Sequence, residues 1–155
     1  VAVRVADDLK KLGIGVEYKP VSTRALSESV NNTMDYECAS IGGVGGGGLD
    51  PASQMNVLKS DAPLHQWFPS ERTPATDWER RIDALMDAQM HTLDFAQRKK
   101  YFDEVQAIWA DEMPMICIAA PSSAAAIREN VGNVRPAIAT AYHVTWNVEE
   151  LYFKK

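Results

Sequence analysis

The segment with the strongest claim to chemistry is a glycine run, with Gly at six of the seven positions 42–48, broken only by Val44. Gly43, Gly45 and Gly48 satisfy the G-x-G-x-x-G spacing that lets backbone amides approach a pyrophosphate. A run this dense matches almost any glycine pattern, so the spacing carries little information. The next helix is expected to open at Asp50-Pro51, after the last glycine, with a carboxylate where the fingerprint needs amides free for an anion. No Gly-Lys-Ser/Thr follows, which excludes a P-loop. Two readings stay open: a flexible loop, or one wall of a ligand cleft in which bare backbone meets the ligand.

Other reactive residue types are scattered. His65, His91 and His143 have no H-E-x-x-H or C-x-x-C companions, so no metal site is expected and each reads as a surface or cap residue. There is no G-x-S-x-G. Asp77, Glu79, Asp83 and Asp87 lie beside Arg80 and Arg81 on one helix and read as a solvated, ion-paired face. Cys38 and Cys117 sit in short apolar segments and read as buried free thiols, with a single bridge as the alternative. Trp67 and Phe68, in a proline-spaced loop over 59–76, either pin that loop to the core or line a pocket. No catalytic residue and no cofactor emerges.

These residues must be positioned by an α/β arrangement. Val1, Val5, Leu9 and Leu12 fall at helical spacing, and Gly13 suits a left-handed helix end. The chain thus opens inside a helix, without an initiating Met, and the simplest expectation is that it was cut from a longer one. Ile14, Val16 and Tyr18 alternate as in a strand, Ser22 or Thr23 caps a helix, and 36–41 reads as a second strand. Thr76 with Glu79 forms a capping box before an apolar face of Trp78, Ile82, Leu85, Met86 and Gln89. Asp94 opens a second long helix with Phe95, Phe102, Val105 and Ile108 or Trp109 inward, stopping before Pro114. Strands are expected over 115–120 and 124–127, a turn around Gly132, Asn133 and Pro136, and a last short helix capped by Asn147.

The 155 residues suffice for one ordinary core, and 46% apolar with 24% charged residues is a globular mixture. The net charge of −5 argues against nucleic acid as a partner. No apolar run approaches the roughly 20 residues of a membrane span.

Taken in order, several segments resemble the peptide/nickel-type solute-binding proteins of ABC importers, solute-binding family 5. The opening VADDLKKLGIGVEYKPV is similar to that family's helix-then-strand. MDYECASIGG with its glycines and DPAS resembles the strand, pocket loop and helix start. TLDFAQRKKYFDEVQAIWADEMPMICI resembles the long helix that ends in a proline, and VGNVRP and TWNVEELYFKK resemble the C-terminal close. The resemblance implies the C-terminal lobe of a two-lobed periplasmic-binding-protein-like fold of class II (cluster C). Residues 1–120 would belong to that lobe, and 121–155 would cross back toward an N-terminal lobe. It implies a non-catalytic receptor, periplasmic or extracellular, soluble or lipid-anchored. Such a receptor captures a small solute, a peptide among the possibilities, and docks on a membrane permease. Gly43, Val44, Gly45, Gly46, Gly47 and Trp67 would be its ligand-binding residues. An orphaned lobe surface would favour self-association of the piece alone. Peptide-binding members carry G-W-x-x-D after the strand; here there is no Trp in that run and no Asp before Asp50. The charged contact to a ligand amine is therefore expected to be missing, which points to a ligand without a free amine, or a bulkier one. The rival readings are a nucleotide-dependent α/β enzyme using the 43–48 loop, and an extracytoplasmic sensor or interaction module.

Overall fold

The structure is a computed structural model and describes residues 1–42, 50–69, 71–119, 126–135 and 146–154. Several of its helical segments start where a side chain satisfies an orphan amide. Ser22 Oγ accepts from Ala25 N–H at the head of α2 (Thr23–Glu28), which runs on into a π turn, Ser29–Thr33. Asp50 caps a 3-10 turn, Pro51–Gln54, that leads into α3 (Met55–Leu58). Thr76 and Glu79 make the reciprocal capping box of α4 (Asp77–Met90), and Asp94 accepts from Gln97 N–H to open α5 (Phe95–Glu112). The chain's first helix, α1 (Ala2–Lys11), is followed by Gly13 at φ +82°, the left-handed conformation that glycine adopts without penalty.

The core lies where α3, α4 and α5 meet. Leu58, Ile82, Leu85, Met86 and Val105 are its buried members, with Met55, Trp78, Tyr101, Phe102, Ile108 and Trp109 packed around them. Each of the buried aliphatic side chains contributes about 1.5–3 kcal/mol through removal from water. At the rim Arg81 pairs with Glu104, joining α4 to α5 across the surface. Phe95 does not share this face as the periodicity suggests. It is 79% exposed in the first turn of α5, where α4 has already ended.

The amino-terminal part differs from its expected form. α1 buries no residue, and Ile14, Val16, Tyr18, Ile116 and Ile118 are all exposed. Among the described residues, the segments expected as strands, 14–18, 36–41 and the described part of 115–120, carry no strand pairing. Alternation records what a strand would bury; pairing also needs a neighbouring edge. The same cause corrects the cysteines. Cys38 and Cys117 lie in two such segments and are free and exposed, rather than buried.

The one sheet among the described residues is an antiparallel ribbon of β1 (Val131–Gly132) and β2 (Tyr152–Phe153). The expected turn at Gly132 is thus a strand. Its lack of a side chain is used directly, since a Cβ there would lie 2.5 Å from the Tyr152 ring. Asn147 precedes the short turn Val148–Glu150 but does not cap its backbone. Its amide donates instead to Asn133 O. The segment 124–127 is described only from 126. Among the described residues no helix is long and apolar enough to cross a membrane.

Candidate functional site

Two places gather the sequence's polar and glycine signals, and both are attached to the same helical core. The first is the end of the glycine run. Gly43, Val44, Gly45, Gly46 and Gly47, expected to line a ligand, lie outside the described residues. Their flanks are described. Gly42 has open space where a Cβ would stand. Asp50 is held in two directions: its Oδ1 accepts from Ala52 N–H at 2.8 Å and from Arg98 Nη2 at 2.6 Å. The same Arg98 nitrogen donates to Gln89 Oε1 at 2.8 Å, and Gln89 is fully buried in α4. Hydrogen bonding from Arg98, followed by that from the Ala52 amide, holds the Asp50 carboxyl below its ordinary value. The point where the glycine run joins the core is therefore fixed to both long helices. Beside it opens a hollow of about 210 Å³ bounded by Pro51, Phe95, Arg98, Lys99 and Phe102.

The second place is the proline-spaced loop. Lys59 Nζ pairs with Asp87 at 2.7 Å, and Ser60 N–H donates to Asp83 at 2.9 Å. The acids of α4 thus serve as anchors for this loop, not only as a solvated face; Asp77, paired with Arg80 on the surface, is the one that fits the simpler reading. Further along, the loop sends three side chains inward. The Trp67 ring lies 3.7 Å from the His65 ring at a tilt of 55° and meets Trp109 edge-on at 5.1 Å, with Trp78 at 6.3 Å. Its indole N–H donates to Glu79 Oε1 at 3.0 Å. Trp67, expected in the ligand-binding set, is half-buried here and holds the loop to the core, while Phe68 is exposed.

His65, read from the sequence as a surface or cap residue, is fully buried. The correction follows from Trp67, whose ring closes over it, and from backbone bonds that curl the loop around it, His65 N–H to Ala62 O and Phe68 N–H to His65 O. Its Nδ1 lies 3.2 Å from Val57 O, a group that can only accept. Nδ1 is therefore the donor there, and Nε2 faces Glu71 Oε2 at 3.2 Å and Glu79 Oε1 at 3.8 Å. Both carboxylates are buried. Glu71 also accepts from Ala75 N–H, and Glu79 Oε2 from Thr76 N–H and Oγ1 at 2.9 and 2.8 Å.

The two acids are pushed apart in acidity. Burial raises Glu71, partly opposed by the Ala75 amide and reinforced by the charge on Glu79, so its carboxyl sits above the ordinary value. Burial also pushes Glu79 up, but the Thr76 hydroxyl, the Trp67 indole and the Thr76 amide outweigh it, and its carboxyl sits below the ordinary value. Glu79 is the residue whose role sequence reasoning missed most: as the third residue of a capping box it has a complete local explanation. His65 was missed for a different reason, since only the path of the loop brings it to Glu71 and Glu79. The sole sequence signal was His65 and Trp67 placed together in a loop with three prolines, at 63, 69 and 74. His91, by contrast, sits at the end of α4 as expected, with Nδ1 2.8 Å from Asp87 O.

No protein-family model matches this chain, and neither a curated protein nor a solved structure matches it.

Proposed function

We propose that this chain is the C-terminal-lobe part of a two-lobed receptor that captures a small solute outside the cytoplasm and presents it to a membrane permease. The observation that carries the reading is the clamp Asp50–Arg98–Gln89, which ties the end of the glycine run to α4 and α5. A binding loop works when bare backbone is presented from a rigid scaffold. Here the glycines supply the backbone and the helical core supplies the scaffold. A second support is the set of uncovered apolar residues, Ile14, Val16, Tyr18, Ile116 and Ile118. Large apolar side chains left exposed in this way are what a further part of the molecule would cover, as in a lobe of a larger receptor. Gly43, Val44, Gly45, Gly46 and Gly47 would form the cleft wall, and Trp67 would fix the adjoining loop.

The nucleotide-dependent enzyme is the weaker reading for a specific reason. Asp50 Oδ1 already occupies the amide of Ala52 at the start of the helix that follows the run. A pyrophosphate would need that amide and would meet a carboxylate instead. Thermal unfolding in the presence of separate probes tests the choice: di- and tripeptides, oligosaccharides, NAD and ATP. A ligand that binds only the native state raises Tm by mass action. The receptor reading expects a shift from a neutral or bulky solute and none from NAD or ATP; a shift confined to the nucleotides overturns it.

A further inference from the structure

We infer that His65, Glu71 and Glu79 form a buried site for a divalent transition-series cation, zinc being the reference case, which fastens the 59–76 loop to α4. This inference stands apart from the receptor reading and does not depend on it.

Three observations lead to it. The first is a convergence of acceptors. With Nδ1–H directed at Val57 O, Nε2 is the ring nitrogen left to point at Glu71 Oε2 and Glu79 Oε1. Neither His65 Nε2 nor Glu71 Oε2 makes a hydrogen bond, although both atoms are buried. A buried ring nitrogen and two buried carboxylates that converge this closely call for a positive species among them, a proton or a metal cation. The second is charge. Two buried carboxylates, when ionised, carry two negative charges in one pocket; a single proton balances one, a divalent cation both.

The third is shape. Zinc bonds to nitrogen and oxygen of about 2.0–2.2 Å in a tetrahedron place neighbouring donors about 3.3–3.6 Å apart. The edges from Nε2 are 3.2 and 3.8 Å, and all three donor atoms lie within 4.8 Å of one another. A cation between the carboxylates would draw the remaining edge in by cancelling their repulsion. The outer contacts are those that fix metal ligands in place: Val57 O behind His65, the Ala75 amide behind Glu71, and Trp67 and Thr76 behind Glu79. Water or a second carboxylate oxygen would complete the shell. All three ligands are buried and the Trp67 ring lies against His65, so the cation's role is to hold the loop.

The test is zinc and cobalt binding by the full chain after dialysis against a chelator. Elemental analysis after gel filtration should return one zinc per chain, with Tm raised on zinc addition. Cobalt should give the visible absorption of a low-symmetry site with a nitrogen ligand, a readout that needs no variant. His65→Gln and Glu71→Gln should each weaken zinc binding on the order of 100-fold or more, while His91→Gln should leave it unchanged. A chelated wild-type chain that takes up no stoichiometric zinc and gives no cobalt band overturns the site, because a proton then fills the gap. Zinc lost with His91→Gln and retained with Glu71→Gln overturns it as well, by placing the ion on the surface.

Discussion

The indole N–H of Trp67 donates to Oε1 of Glu79 at 3.0 Å, so a loop residue and the capping-box acid of α4 share one carboxylate. The other oxygen of Glu79 receives the amide and hydroxyl of Thr76. One side chain thus starts the helix and fastens the loop that precedes it. Replacing Trp67 by Phe keeps most of the ring contact and deletes the donor. The expected loss is about 1–3 kcal/mol, the range for a buried acceptor left unpaired, read from urea unfolding. Unchanged stability would mean that the bond contributes nothing.

Thr76→Ala removes the other half of that arrangement. Loss of an N-cap hydroxyl costs about 1 kcal/mol, and the reciprocal contact from Glu79 should bring the effect to the upper part of the usual range. The urea midpoint should fall with the slope unchanged. A larger slope would point to a more expanded denatured ensemble instead.

Ile82 and Met86 are both fully buried between α4 and α5. Truncating either to Ala should cost about 2–5 kcal/mol, a large share of the stability of a chain whose core is a single helical cluster. Far-UV circular dichroism during thermal unfolding would register this as a marked fall in Tm. An exposed-site control such as Leu93→Ala should not move it, since Leu93 touches solvent on all sides.

The Asp50–Arg98 pair gives a pH dependence of definite sign. The Asp50 carboxyl is depressed in the folded chain by Arg98 and the Ala52 amide. A depressed acid stabilises the fold above its unfolded value of about 3.9, and the contribution disappears as pH falls through the lower folded value. Wild type should therefore exceed Asp50→Asn in Tm at neutral pH, and the gap should close in the acid range below about pH 4. A gap that persists at low pH would contradict the pairing. The carboxylate is exposed, so the gap should also shrink in high salt.

What could be read from the sequence was whatever is decided locally. Ser22, Asp50, Thr76 and Asp94 all cap the helices expected of them, because a cap depends on two or three neighbouring residues. The inward face of α4 was legible for a related reason: Ile82, Leu85, Met86 and Gln89 recur at the helical period and are buried. Features set by distant parts of the chain were not. His65 looked like a surface residue because sequence alone does not show that the neighbouring Trp67 turns back over it or that the loop brings it to Glu71 and Glu79. The pairing of Val131 with Phe153 joins residues separated by most of the C-terminal region, and the glycine at 132 reads equally as turn or as close approach. Alternation at Ile14, Val16 and Tyr18 states a preference for a strand, but among the described residues no neighbouring edge pairs with it.

The most direct test of the receptor reading is native mass spectrometry on the protein purified under non-denaturing conditions from its own cells. The expected result is an added mass of one small solute per chain, released on denaturation and identified as neither NAD nor ATP. A bound nucleotide in its place would contradict the receptor reading and return the glycine run to the dinucleotide hypothesis.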